Sequence, residues 1–336
     1  SMIGLTAGEP AYLHPLLHQN TSTLSEQRYS STFTGQEFFL RDHVVNGQKV
    51  LPGVAYLEMA RVAVDMAAGV RTDNHSAIQL KNIVWAKPVI VEDAPIQVHK
   101  GLYPEENGEI TFEIYSHPRE AEESLVVHSQ GRAVLRSAME APALDLSAIQ
   151  AQCTESSYSF SQCYETFHRI GLAYGPSHQG IEKLFVGPDQ VLAKLVLPSS
   201  VTGTAEKFVL HPSVMDAALQ ASLGFMMGTS DLQPSLPFAL EELNIYSAST
   251  AAAWALVRYS DGNATTQKVQ KLDIDLCDEQ GTICVSMKGF TTRVLEGEKA
   301  AGVAKNKGTG EAGKITSTLM LQPVWIEKGI PKEAKA

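Results

Sequence analysis

Two apolar helices with matching punctuation constrain this chain more than any other feature. "GVAYLEMARVAVDMAAG" (53–69) follows Pro52, and "PSVMDAALQASLGFMMG" (212–228) begins at Pro212. Each starts at a proline, suited to a first helical turn, and stops at a glycine, suited to a left-handed C-terminal cap. Both are apolar around most of their circumference, so each must be covered on nearly every side. What covers them is strand-like. "AIQLKNIVWAKPVIV" (77–91) and "SLVVHSQGRAVLR" (124–136, with Gly131 read as a bulge) flank the first helix, and "AAAWALVRYS" (251–260) follows the second. "TTQKVQKLDIDLCDEQGTICVSMKGFTTRVL" (265–295) alternates around a D-E-Q-G turn and predicts a hairpin. The recurrence reads as a weak internal repeat in which Pro52 and Pro212 are equivalent points. A buried helix wrapped by antiparallel strands, twice over, is an α+β design in two layers.

Two stretches break the pattern and divide the chain. "SAMEAPALDLSAIQ" (137–150) reads as a linker between an N-terminal unit, 1–136, and a C-terminal unit, 151–294. "LEGEKAAGVAKNKGTGEAGKITS" (295–317), rich in Gly, Ala, Lys and Glu, reads as a flexible start to a tail that runs to 336. A net charge of −10 argues against a nucleic-acid partner, because phosphate binding wants a basic face. No apolar run is long enough for a membrane span, and the N-terminus lacks the basic and apolar regions of a secretory signal. Ser1-Met2 reads as a cloning remnant, so a piece of something larger is expected. The four cysteines form no C-x-x-C pair and are expected to be reduced and structural, in a cytoplasmic protein.

Polar residues intrude on these two greasy elements. His43 precedes the first helix, separated from it by a turn through Asn46, Gly47 and Gln48. Asp216 and Gln220 lie four residues apart on one face of the second helix. Burial raises a carboxyl pKa, so Asp216 is expected to stay protonated, with Gln220 orienting it. Alone, His43 reads more readily as a structural or surface histidine, and Asp216 equally well as a first-turn carboxylate favoured by the helix dipole. Together, at equivalent points of a repeat, a base and an acid are the ingredients of proton abstraction with acid-assisted departure of a leaving group.

At these residues the chain resembles a known family. "HVVNGQKVLP" fits H-x3-G-x4-P (His43, Gly47, Pro52), and "HPSVMDAALQ" fits H-P-x3-D-x3-Q (His211, Pro212, Asp216, Gln220). "AYGPSHQG" resembles a G-x-Y-G-P motif through Tyr174, Gly175 and Pro176, with one residue more than usual between Gly171 and the tyrosine. "LPF" (Leu236, Pro237, Phe238) follows. In this order, over residues 10 to 295, they resemble the dehydratase domains of modular polyketide synthases.

The resemblance implies a double hotdog fold and loss of water from a β-hydroxyacyl thioester on an acyl carrier protein, giving an α,β-unsaturated thioester. It implies that neutral His43 takes the α-proton and that protonated Asp216 gives its proton to the departing hydroxyl. Gln220 then positions the carboxyl, and Tyr174 binds the hydroxyl or braces Asp216. The Leu51-Pro52-Gly53 step places the Gly53 N–H, unpaired at the helix start, as donor to the thioester carbonyl, an interaction worth about 3 kcal/mol by comparison with other oxyanion donors. No metal or organic cofactor is implied, since the phosphopantetheine arm arrives with the substrate. The family often has Phe where this chain has His178, which reads as a polar wall residue or a second proton carrier. A homodimer is expected, and "LMLQPVW" (319–325) resembles the strand that opens the following ketoreductase region.

The other candidates are weaker. His14 and His18 lack a third zinc ligand, and "HPLLH" resembles the family's N-terminal start. Met215, Met226 and Met227 read as core filling, as do Tyr158, Phe160 and Tyr164 near Cys163. The competing functions are an enoyl isomerase, a cyclising dehydratase of the same fold and a catalytically idle docking or dimerisation module.

Overall fold

Pro52, extended at φ −60° and ψ 141°, opens an α-helix over Gly53–Ala68. Gly69 closes it in the left-handed region at φ 69°, donating its N–H to Asp65 O at 3.0 Å. Every residue from Val54 to Asp65 is buried. The structure, a computed structural model, describes residues 12–69, 76–117, 125–228, 232–260 and 269–294. The second central helix is shorter than its sequence suggests. It is α-helical over Pro212–Gln220 and tightens into a 3-10 turn over Ala221–Phe225. There the Ser222 hydroxyl donates back to Leu219 O at 2.7 Å. Gly224 lies so close to Val191 that an added Cβ would stand 2.7 Å from both of its methyls. Gly228, at φ 85°, follows.

The strands of the two halves join edge to edge. From the N-terminal half, in spatial order, come Gln19–Asn20, Gln27–Phe33, Ile96–Pro104, Ile110–Ser116, Val126–Ser137 and Ser76–Trp85. Ser235–Ile245, Ile283–Val294, Val269–Cys277, Trp254–Tyr259, Gln190–Leu195, Ile181–Val186 and Ser156–Ser159 continue the same antiparallel sheet. The two repeats expected to wrap their helices separately therefore share one thirteen-stranded sheet among the described residues. Its seam pairs Leu80 with Leu243 and Ile83 with Leu240, all four buried, so the core runs unbroken from one helix to the other. A smaller sheet of four strands, Leu172–Tyr174, His43–Val45, Gln48–Val50 and Ile90–Val91, mixes both halves.

Gly131 is not itself the bulge. The extra residue lies on the neighbouring strand, where Lys81 pairs with Arg132 but Val84 pairs with Gln130. Asn82 there sits at φ 51°. Gly131 instead makes room for the Phe112 ring, whose Cζ would stand 2.7 Å from an added Cβ. The stretch 137–150 is pinned to the hairpin expected around Gly281: Leu144 N–H donates to Gly281 O at 2.9 Å and Ile283 N–H to Pro142 O at 2.8 Å. Residues 265–268 of that hairpin, and the tail from 295, lie outside the described residues. Among the described residues no helix is long and apolar enough to cross a membrane.

Candidate active site

His43 is the first residue of a tight hairpin, His43–Val45 against Gln48–Val50. Asn46 and Gly47 turn it at φ 49° and 82°, the paired positive values of a two-residue turn that Asn-Gly favours. The hairpin brings Val50 O within 2.7 Å of His43 Nδ1. A carbonyl only accepts, so Nδ1 carries the proton and Nε2 presents its lone pair. The other edge of the His43 strand pairs with Leu172–Tyr174 of the C-terminal half, with Tyr174 opposite His43. Asp42 strengthens that junction. Its carbonyl accepts from Gly175 N at 2.7 Å and its carboxylate from Ser177 N at 3.1 Å. Pro176 opens the 3-10 turn Pro176–His178.

The Leu51-Pro52-Gly53 step is fixed from three sides. Leu51 is buried and donates its N–H to Val89 O at 2.9 Å. Trp85 Nε1–H donates to Gly53 O at 3.0 Å. Pro237 covers the glycine so closely that a Cβ there would stand 2.8 Å from the proline Cγ.

The helix that carries Asp216 is anchored by buried polar groups. His211 Nδ1 caps it, accepting from Ser213 N at 3.2 Å, and its Nε2 lies 3.0 Å from Thr204 Oγ1. Just upstream, Val209 and Leu210 each donate a backbone N–H to the Glu58 carboxylate at 3.0 Å. Arg61 grips the same carboxylate at 2.7 and 3.0 Å, and His14 Nε2 stands 3.3 Å away. Burial opposes ionising Glu58, but Arg61 and His14 outweigh it and hold the carboxyl down at about 2. A side chain from the first central helix thus fixes the start of the second.

Asp216 is 5 % exposed and His43 7 % exposed. His43 Nε2 lies 4.0 Å from Asp216 Oδ1. Asp216 Oδ2 accepts from Gln220 Nε2 at 2.7 Å and lies 3.1 Å from His178 Nδ1. Gln220 Nε2 also donates to His178 O at 3.0 Å, and Gln220 Oε1 accepts from the Tyr164 hydroxyl at 2.9 Å. The Tyr164 oxygen in turn accepts from Ile181 N at 3.0 Å. The Tyr164 hydroxyl fixes which end of the Gln220 amide faces the carboxyl.

Burial lowers the pKa of His43, and the charge of His178 adds to that against the pull of Asp216. For Asp216 the sequence expectation is corrected. Burial does push its carboxyl up, but the His178 hydrogen bond, the charges of His43 and His178, and the Gln220 amide together bring it below the ordinary carboxylate value. The resting carboxyl is therefore ionised, and the histidine and aspartate titrate as a pair rather than singly.

Tyr174 approaches His43 with its ring 5.5 Å away, and burial drives its hydroxyl pKa well up. The bracing of Asp216 passes instead through Gln220, His178 and Tyr164. Tyr164 looked like packing because its only sequence signal is a place on an amphipathic helix. Glu58 gives no motif at all, and the one sign of Asp42 is its position beside His43. No cluster that could hold a metal exists among the described residues. Cys163 is buried and its thiol is pushed up to about 12, which does not suit a nucleophile.

The family profile "Polyketide synthase dehydratase domain" matches residues 14–117, and "Polyketide synthase dehydratase N-terminal domain" matches residues 141–302. The crystal structure of a trans-AT PKS dehydratase domain from Brevibacillus brevis is 96 % identical, covering 84 % of this chain and 100 % of that one at a TM-score of 0.78. This chain belongs to the polyketide synthase dehydratase domains. Polyketide synthase PksN of Bacillus subtilis (strain 168) is 47 % identical over 96 % of this dehydratase domain, which spans only 6 % of that synthase. CurK dehydratase has been solved as an inactive histidine-to-phenylalanine mutant, 26 % identical at a TM-score of 0.71 over 84 % of this chain and 97 % of that one. An inactive aspartate-to-asparagine mutant of it is 25 % identical at 0.72, over 85 % of this chain and 100 % of that one.

Proposed function

We propose that this dehydratase domain removes water from a β-hydroxyacyl thioester presented on the phosphopantetheine arm of an acyl carrier protein, leaving an α,β-unsaturated thioester. The observation that carries the reading is the 4.0 Å between His43 Nε2 and Asp216 Oδ1. Each belongs to a different half of the chain, and both are buried. His43 Nε2 takes the α-proton and the electron pair moves toward the thioester carbonyl, where the Gly53 N–H at the open helix start receives the charge. As the double bond forms, the Cβ–O bond breaks, and Asp216 Oδ1 gives the hydroxyl the proton it needs to leave as water.

That step needs one proton on the pair, carried by Asp216. The resting pair, neutral His43 with its Nε2 lone pair and ionised Asp216, is one proton short of that form. It takes up that proton from solvent when the acyl group buries the carboxylate, because the charge is then no longer solvated. With both groups lowered, the one-proton form is lost as pH rises, so dehydration falls toward alkaline pH. Tyr174 lines the His43 side of the site, and Pro237 and Leu51 frame the Gly53 end.

The same reading makes the chain a double hotdog, 1–136 and 151–294 joined by 137–150. The segment 295–336 leads toward a ketoreductase region in a cytoplasmic, homodimeric synthase. Incubating the protein with a β-hydroxyacyl thioester and following loss of one water by mass tests it. His43→Ala and Asp216→Asn should each lower the rate by about 10²–10⁴-fold. A wild-type protein that shifts an enoyl double bond but never releases water would make it an isomerase. One inert toward every acyl chain, like His43→Ala, would make it a docking module.

A further inference from the structure

His178 is completely buried, yet it uses only half of its polar capacity. Nδ1 lies 3.1 Å from Asp216 Oδ2. Nε2 has no hydrogen-bond partner among the described residues. A phenyl ring would fill the same space without burying an orphaned nitrogen, so packing alone does not account for an imidazole here. Its surroundings point to one task. Oδ2 already accepts from Gln220, and the ionised carboxyl has no proton to give, so His178 Nδ1–H is the donor. The backbone carbonyl of His178 also receives the second Gln220 N–H. Side chain and main chain of one residue thereby hold both members of the Asp216–Gln220 couple.

We propose that His178 is a positioning residue for Asp216: its Nδ1–H, together with Gln220, occupies Oδ2 and leaves Oδ1, turned toward His43, as the oxygen that carries and gives up the proton. The inference rests on the dehydratase reading of the pair. With Oδ2 doubly held, the carboxyl cannot rotate to present the wrong oxygen, and its proton is directed to the His43 side. The ring is itself fixed. The turn Pro176–His178 hangs on Asp42 through Ser177 N, and Asp42 is paired with Arg41. The His43 ring lies 5.3 Å away, and the Tyr174 ring stacks on the imidazole at 6.4 Å. The other ionisable groups around it are Tyr164, whose hydroxyl lies 3.4 Å from the His178 carbonyl, and His211, whose pKa a charge on His178 would lower further.

Two variants and one measurement on the unaltered protein test this. In nitrogen NMR of imidazole-labelled wild type, the resonance lost in His178→Asn should show a protonated Nδ1 and a bare Nε2. In His178→Phe the donor is gone while the ring shape stays. The Asp216 carboxyl, followed by carbon NMR, should then titrate at higher pH, and the alkaline limb of the dehydration profile should move the same way. The kcat should fall about tenfold, with a smaller change in KM. His178→Asn, whose amide N–H takes the place of Nδ1, should restore most of each. An Nε2-protonated ring in the wild type, or an Asp216 midpoint unmoved in His178→Phe, overturns the proposal. If His178→Phe does not fold, the wild-type tautomer and His178→Asn still decide. Because the NMR readouts need no substrate, a wild type with the expected tautomer and carboxyl shift but no water release would refute the proposed function and leave this assignment standing.

Discussion

Glu58→Gln is expected to damage both stability and turnover, although Glu58 touches no substrate. The carboxylate accepts four hydrogen bonds, two from backbone N–H groups at 3.0 Å and two from Arg61 nitrogens, and His14 Nε2 stands 3.3 Å away. That last imidazole presents a proton, because its Nδ1 already accepts from Leu16 N at 3.0 Å. A glutamine keeps the shape but has one acceptor oxygen, and its NH2 faces at least one of these donors. It also leaves Arg61, 7 % exposed, with Asp65 as its remaining carboxylate among the described residues.

Two routes to the magnitude agree. Breaking a buried ion pair by removing one partner costs about 3–5 kcal/mol. A carboxyl held at about 2 against an ordinary 4.5 corresponds to about 3 kcal/mol of stability. The sign follows from the depressed value. The contribution is complete above the unfolded pKa of 4.5 and disappears as pH falls toward about 2. Urea unfolding of wild type and Glu58→Gln as a function of pH measures it. The gap should be about 3 kcal/mol at neutral pH and should close as the solution is acidified below pH 4.5. Turnover should fall as well, because Val209 and Leu210 lead directly into the helix that carries Asp216. A gap below about 1 kcal/mol at neutral pH, or one that does not narrow on acidification, would refute the clamp.

Tyr164→Phe removes the donor that orients Gln220, so kcat should drop about tenfold while unfolding midpoints move little, which steady-state kinetics beside thermal melts will resolve. Burial holds His211 down at about 4 against an ordinary 6.5, and its Nδ1 must stay bare to cap the helix at Ser213. Its contribution is therefore complete above pH 6.5 and lost as pH falls toward 4, and wild type should lose stability over that window more steeply than His211→Asn. Gly53→Ala places a methyl against Pro237, and the overpacking should cost about 1–3 kcal/mol and raise the KM for thioester more than Gly69→Ala does.

The convergence of His43 and Asp216 was legible because each sits at a fixed offset from a proline that opens a buried helix, and helix starts are strongly marked in sequence. The Asn-Gly turn behind His43 was legible for the same local reason. The seam between Leu80 and Leu243 was not, since strand pairing across so long a separation leaves no local trace. The direction of the Asp216 shift was misread because burial, which a sequence suggests, is only one of its causes. The groups that reverse it, the His178 donor and the charge of His43 foremost, meet Asp216 only in the folded chain. Tyr164 was hidden by chemistry common to any aromatic on a half-buried helix, and Glu58 by looking like the solvent side of one.

The backbone ladder that sets Tyr174 opposite His43 has a consequence for insertions and deletions. Side chains on a strand alternate faces with every residue, so one residue gained or lost between Asp42 and Asn46 turns the imidazole to the far side of the small sheet. A change of two keeps the side but slides the ring by about 7 Å, well beyond the reach of Asp216. Loop lengths at the outer ends of the long sheet are free of this penalty. Length variation among domains of this kind should therefore collect there and spare the few residues where the two halves are stitched together.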